Sequence, residues 1–111
     1  MRTVAKDSMT KVKIIGYLDR RMPLDDIASA LNLEFEELLD EIDAIVYSGT
    51  KVNIDYFLED VLDDDQIDDI YEYFRESETD SIDDAIDELG GDYEENEIRL
   101  VRIKFMSEQG N

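Results

Sequence analysis

The 111 residues include no histidine, cysteine or tryptophan, and only one proline. Without His or Cys, neither a Ser-His-Asp nor a Cys-His nucleophile system can be assembled. Zinc loses its usual nitrogen and sulfur ligands for the same reason. The missing cysteines exclude a disulfide scaffold and fit a reducing compartment. No apolar run approaches the roughly 18 residues of a membrane span, and the start lacks a signal-peptide core. No GxxxxGK[ST] loop is available to cradle the phosphates of ATP. Positive charge is scarce too: 11 Lys and Arg stand against 31 Asp and Glu, a net of −20, which opposes non-specific binding to polyanions. Hydrophobic residues nevertheless make up 42% of the chain, too many for a disordered acidic tail. The length allows one compact body burying roughly two-thirds of its surface. The expectation is a cytoplasmic, non-catalytic acidic domain with no cofactor of its own.

The charge is segregated. Residues 1–21 carry Arg2, Lys6, Lys11, Lys13, Arg20 and Arg21 against two acids, a net of +4. Residues 22–97 are net −26, and residues 98–111 return to +2 through Arg99, Arg102 and Lys104. Such segregation serves either a charged partner or attraction between the ends and the middle of one fold.

Apolar periodicity predicts six or seven helices and no firm strand, an all-α fold. A first helix runs from Lys11 to Arg20 on Val12, Ile15, Tyr17 and Leu18, with Ser8 or Thr10 as N-cap. Pro23 opens a second helix through Leu31, and Asn32 tolerates the left-handed conformation that ends it. The third, Glu34 to Tyr47, carries an i, i+3, i+4, i+7 stripe of Phe35, Leu38, Leu39, Ile42, Ile45 and Val46, and Gly49 stops it. Residues 51–62 read either as a strand (Val52, Ile54, Tyr56) or as a helix (Ile54, Phe57, Leu58, Val61, Leu62), with the helix ranked higher. Asp63 to Asp65 cap a helix on Ile67, Ile70, Tyr71 and Phe74. A loop over Glu76 to Thr79 precedes a short helix from Ser81 to Leu89. Asp92 with Glu95 reads as a capping box opening the last helix, to about Glu108. The aromatic residues fall mostly on core positions, with Tyr73 available to a partner.

Two helix-turn-helix patterns emerge, residues 23–49 and 81–110, aligned at an offset of 58, each with an αL-tolerant residue (Asn32, Gly90) in its turn. They are either a true internal repeat or two αα-hairpins obeying common capping rules. The chain divides into a helix-turn-helix unit (1–50) and a helical unit (51–111), together forming one compact domain. A helix-turn-helix reads DNA with its second helix. Here that helix bears Glu34, Glu36, Glu37, Asp40, Glu41 and Asp43, carboxylates that repel a polyanion. With Asp63, Asp64, Asp65, Asp68 and Asp69 they form a candidate acidic face for a basic protein partner. The aspartate run lacks the sixth-position Gly of an EF-hand, and reads as a solvated helix start. Lys11, Lys13, Arg20, Arg21, Arg99, Arg102 and Lys104 are the nucleic-acid candidates. Their alternative role is to neutralise the acidic middle or to favour helix C-termini.

The stretch from Arg2 to Phe57, and the ending from Glu97 to Asn111, resemble the carboxy-terminal helix-turn-helix region of RecQ-type ATP-dependent DNA helicases. The most specific parts are LDDIA (Leu24 to Ala28), VYSGTKVNIDYF (Val46 to Phe57) and IRLVRIKF (Ile98 to Phe105), and the resemblance extends over essentially the whole chain. It implies a terminal accessory domain, detached from a longer polypeptide in which Met1 is not the natural start. In that family two RecA-like lobes, a zinc segment and a winged helix lie upstream, so ATP, Mg and Zn are expected only in the parent protein. The parent would act in DNA repair and recombination, near the nucleoid. The HRDC-type accessory domain of the family presents basic patches, and this sequence departs from that pattern. Read with the charge pattern, the expected role is docking through the acidic face, to the rest of the helicase or a basic repair partner. The alternative is an auxiliary DNA-binding module using the basic ends, and a third is an oligomerisation module. In the docking reading, a domain lodged on the motor's basic groove competes with DNA and acts as a brake.

Overall fold

The computed structural model describes residues 3–109, with side chains from Met9 onward. Among them are seven helices and no strand: α1 (Thr3–Asp19), α2 (Leu24–Ala30), α3 (Phe35–Tyr47), α4 (Asp55–Val61), α5 (Asp64–Glu76), α6 (Ile82–Leu89) and α7 (Glu95–Gln109). The fold is all-α, as the periodicity predicts.

The first three helices end in one way. In each, the residue after the C-cap has positive φ: Arg21 at 60°, Asn32 at 58° and Gly49 at 99°. Its N–H and the next one turn back onto the last helical turn, Arg21 to Leu18 O and Met22 to Tyr17 O, Asn32 to Ser29 O and Leu33 to Ala28 O, Gly49 to Val46 O and Thr50 to Ile45 O. These paired bonds are Schellman motifs, which satisfy carbonyls a helix end leaves without partners. Asn32 and Gly49 do what their residue types suggest. Arg21 does so with a β-carbon that the left-handed region disfavours.

α1, α2 and α3 pack as a three-helix unit in which α2 and α3 form the helix-turn-helix. Its interior is built from Ile14, Leu18, Leu24, Ile27, Leu38 and Ile42, each at most 5% exposed. The register of α1 differs from the expectation. Ile14 and Leu18, one turn apart, are the buried pair, and Val12 faces outward. Ser8 and Thr10 lie inside the helix instead of capping it, because α1 starts at Thr3. Arg2 lies outside the described residues, as does the side chain of Lys6.

α7 is the central rod, with α3, α4, α5 and α6 all packed on it. Ile98, Leu100, Val101 and Ile103 are at most 3% exposed. Burial on several sides leaves this helix without one apolar stripe, the pattern expected of an enclosed helix. The 51–62 ambiguity resolves as helix α4, which buries Phe57 and Leu58, with Ile54 and Leu62 buried at its ends and Val61 turned outward. Before it, Lys51 to Asn53 form neither helix nor strand. They are tethered instead by Ser107 on α7, whose hydroxyl accepts from Val52 N–H (2.9 Å) and donates to Val52 O (2.9 Å). One hydroxyl takes the place of a strand partner.

The second hairpin departs from the first. In place of the capping box expected at Asp92 and Glu95, a single back-bond sits two residues later, where Glu97 Oε1 accepts from Glu94 N–H (2.9 Å). The reason is that Asp92 and Tyr93 both donate their N–H to Leu89 O, prolonging the turn. Gly90 has φ −66°, an ordinary helical value, so no left-handed residue is used there. A β-carbon at Gly90 would come within 2.5 Å of Ile86 O, so close approach is what the glycine provides. Tyr73 is half-buried against the core, its ring edge-on to Phe74 at 5.2 Å, and not the freely presented ring read from the sequence.

Candidate functional site

α3 meets α7 along a polar seam. Its residues on α3 are Glu36, Asp40, Asp43 and Tyr47, spaced by four, three and four positions and therefore on one side of the helix. On α7 the partners are Asn96, Arg99 and Arg102, spaced by three. Asn96 Nδ2 donates to Glu36 Oε2 at 3.0 Å. Arg99 Nη2 donates to both Asp40 Oδ1 (2.6 Å) and Asp43 Oδ2 (3.0 Å). Arg102 Nη1 lies 3.5 Å from Asp43 Oδ1, while its Nη2 donates to Tyr47 Oη (2.7 Å) and its Nε to Asp80 O. The Arg102 guanidinium also sits 5.6 Å from the centre of the Tyr47 ring, within cation–π range.

The inner part of this seam is dry. The side chains of Arg99, Arg102 and Asp43 are only 11%, 8% and 19% exposed, against 71% for Asp40. Burial pushes the Asp43 carboxyl above the ordinary aspartate range, against the opposing pull of Arg99 and Arg102. Its Oδ1 is fully buried and accepts no hydrogen bond, so it is compensated by charge alone. At the wet end, the hydrogen bond from Asn96 holds the Glu36 carboxyl below its usual value.

The remaining α7 cation is also engaged. Lys104 Nζ donates to Asp55 Oδ1 (3.0 Å) and Glu108 Oε2 (2.7 Å), and lies 5.8 Å from the centre of the Tyr71 ring. Tyr71 in turn donates to Glu108 Oε1 at 2.8 Å. Thus Arg99, Arg102 and Lys104, read from sequence as nucleic-acid candidates, are all held by carboxylates of the same fold. The amino-terminal bases differ. Lys11 donates to Ser48 Oγ at 3.2 Å, whereas Lys13, Arg20 and Arg21 are exposed.

The acids read as one face are placed on two helices that both pack on α7. On α3, Glu36, Asp40 and Asp43 turn into the seam, Glu41 is half-buried, and Glu34 and Glu37 are exposed, with Glu37 Oε1 accepting from Glu34 N–H. On α5, Asp63 is the N-cap, and its carboxylate accepts from Gln66 N–H at 2.9 Å. Asp64, Asp65 and Asp68 are exposed. Asp69 accepts from Tyr93 Oη at 2.8 Å, a bond that pushes the Tyr93 phenol up to about 12. An open depression over α5, lined by Asp65, Asp68, Asp69, Glu72, Tyr71 and Tyr93 among others, carries this negative charge at the surface. No three acidic side chains converge as metal ligands would among the described residues. No helix among them is long and apolar enough to cross a membrane. Sequence reading missed Tyr47, Asn96, Ser107 and Asp80 as structural partners. Three of these act through neutral polar groups, and Asp80 acts through its carbonyl, which no side-chain pattern signals.

Comparison with known proteins gives this geometry a family context. Residues 8–58 match the model of the RecQ-1-like helix-turn-helix domain. Over that span the chain is similar to the RecQ-1-like domain, consistent with the carboxy-terminal helix-turn-helix region of RecQ-family helicases. The matched span takes in α2, α3, most of α1 and the first turn of α4, somewhat under half of the chain. The IRLVRIKF helix lies beyond it, so the match is narrower than the resemblance read from the sequence. No match was found among the curated proteins.

Proposed function

We propose that the chain is a non-catalytic accessory module of a RecQ-like DNA helicase, working by docking onto a basic protein surface. That surface belongs either to the helicase's own motor lobes or to a repair partner. The observation that carries this reading is the destination of the positive charge. All three cations of α7 are consumed by carboxylates inside the fold, while Asp64, Asp65 and Asp68 of α5 and Glu37 of α3 remain outward. What the module offers a partner on these helices is anionic. A cationic surface gains Coulomb energy there, and a phosphate backbone does not. Lodged on the motor's DNA groove, the module acts as a brake on DNA binding. Of the basic residues read as DNA contacts, Lys13, Arg20 and Arg21 alone stay exposed, all on α1 or at its end.

The test is binding of the chain to the separately purified motor lobes of a RecQ-type helicase, at two salt concentrations and with forked DNA as competitor. Docking through the acidic face gives a complex that weakens with salt, is displaced by the fork, and is lost in the Asp64→Lys/Asp65→Lys/Asp68→Lys variant. Fork binding by the chain alone, with a salt slope reduced by Arg20→Ala, overturns it in favour of direct DNA contact.

A further inference from the structure

From Met9 onward, α1 buries one side and leaves the other uncovered. Inward are Ile14 and Leu18, with Ile15 and Tyr17 packed beside them. Outward, Met9 is 63% and Val12 69% exposed, the two most exposed large hydrophobic side chains among the described residues. Gly16 continues their line four residues further on. A β-carbon there would meet nothing within 4 Å, so the surface beside it stands open. Spacing of three and then four residues is the spacing of a coiled-coil seam. Lys13 and Arg20, seven residues apart, flank the same side and are exposed. A flanking charge repeated at seven residues is how such seams select a partner.

We infer that this face of α1 docks an amphipathic helix of another polypeptide, one with an apolar seam bordered by Asp or Glu. Charge complementarity specifies the occupant: Lys13 and Arg20 border the seam and call for acids opposite them, and the open flank of Gly16 lets a helix approach closely. A second copy fits poorly. Two α1 helices packed antiparallel would oppose Lys13 and Arg20 to one another, packed parallel they would set Ser8 and Ile15 and no acid opposite these bases, and each copy carries −20. The acidic helix α5 has its own apolar side buried in the core at Ile67, Ile70 and Phe74, so it has no seam to lend. Nucleic acid would meet the two bases but leave Met9 and Val12 uncovered. This surface is separate from the acidic one and does not depend on the reading given above for it. The module then carries two docking faces of opposite sign.

The experiment uses the full chain and two designed monomeric helical peptides of about three heptads, with Leu at the seam and either Glu or Lys at the flanks. The Glu-flanked peptide binds saturably and at least tenfold more tightly than the Lys-flanked one. Val12→Asp weakens it at least tenfold without changing the thermal melt, because Val12 contributes little to the core. Lys13→Glu/Arg20→Glu reverses the preference between the peptides. Absence of saturable binding, equal affinity for both peptides, or indifference to Val12→Asp overturns the inference. So does a chain that sediments as a dimer dissociated by Val12→Asp, or one whose α1 bases bind duplex DNA in preference to the peptide.

Discussion

The Arg99 guanidinium on α7 lies 3.0 Å from Oδ2 of Asp43 on α3, joining residues 56 positions apart in the chain. Around that pair the acids of α3 meet the arginines of α7 in a seam that is buried at Asp43 and solvated at Asp40.

The seam ties stability to Asp43 rather than to Asp40. Replacing Asp43 with Ala leaves Arg99 and Arg102 short of a carboxylate in a largely buried place, and costs about 3 kcal/mol. Asp40→Ala, at a solvated carboxylate, costs about 1 kcal/mol or less. Urea denaturation of the two variants beside the parent chain measures the difference. Equal effects would mean that the seam is solvated throughout.

Ser107→Ala removes both bonds to Val52. The Val52 N–H and C=O lose their partner, at a cost of about 2 kcal/mol. The loss is local: amide exchange quickens around residues 51–54, while α1 and α2 keep their protection. Uniform acceleration over the whole chain would contradict this.

Arg21 holds φ at 60° in the same Schellman position that Asn32 and Gly49 fill at the next two helix ends. Glycine there relieves the β-carbon penalty and should raise stability by about 1 kcal/mol. Asn32→Val, placing a branched side chain in the left-handed region, should lower it by about the same amount or more. Thermal melts at fixed ionic strength provide the check.

Glu108 supplies a pH signature. Burial works to raise its carboxyl, but Lys104 and the Tyr71 hydroxyl outweigh it and hold the group below the usual glutamate value of 4.5. A depressed folded value means that the contribution to stability is present above the unfolded pKa and is lost as pH falls through the folded one. In Lys104→Met, the midpoint of Glu108, followed by carboxyl NMR shifts, climbs toward the ordinary value, and the acid-side loss moves to higher pH. An unchanged midpoint would show that Lys104 is not the group responsible.

Much of the fold was legible because helices advertise themselves locally. The stripe Leu38, Leu39, Ile42, Ile45 and Val46, the turn at Asn32 and the stop at Gly49 are all short-range patterns. The misreadings have local causes as well. Val12 reads as inward because an apolar residue near a helical period is ambiguous by one position. Asp92 and Glu95 have the spacing of a capping box, but Glu94 and Glu97 have it too, and only their back-bond forms. Gly90 and Asn32 occupy equivalent turns by alignment, yet one is required for close approach and the other for its left-handed backbone.

Composition and periodicity alone determined that this chain is helical, acidic and built around a helix-turn-helix, because those properties depend on neighbours within one or two turns. The functional meaning of its charges was decided only by tertiary structure. Arg99, Arg102, Asp40 and Asp43 look like surface ligands when each helix is read by itself. Packing α7 against α3 brings side chains 56 to 59 residues apart within 3.5 Å. No one-dimensional pattern encodes a helix-crossing angle, and that angle settles which ions meet each other and which face solvent.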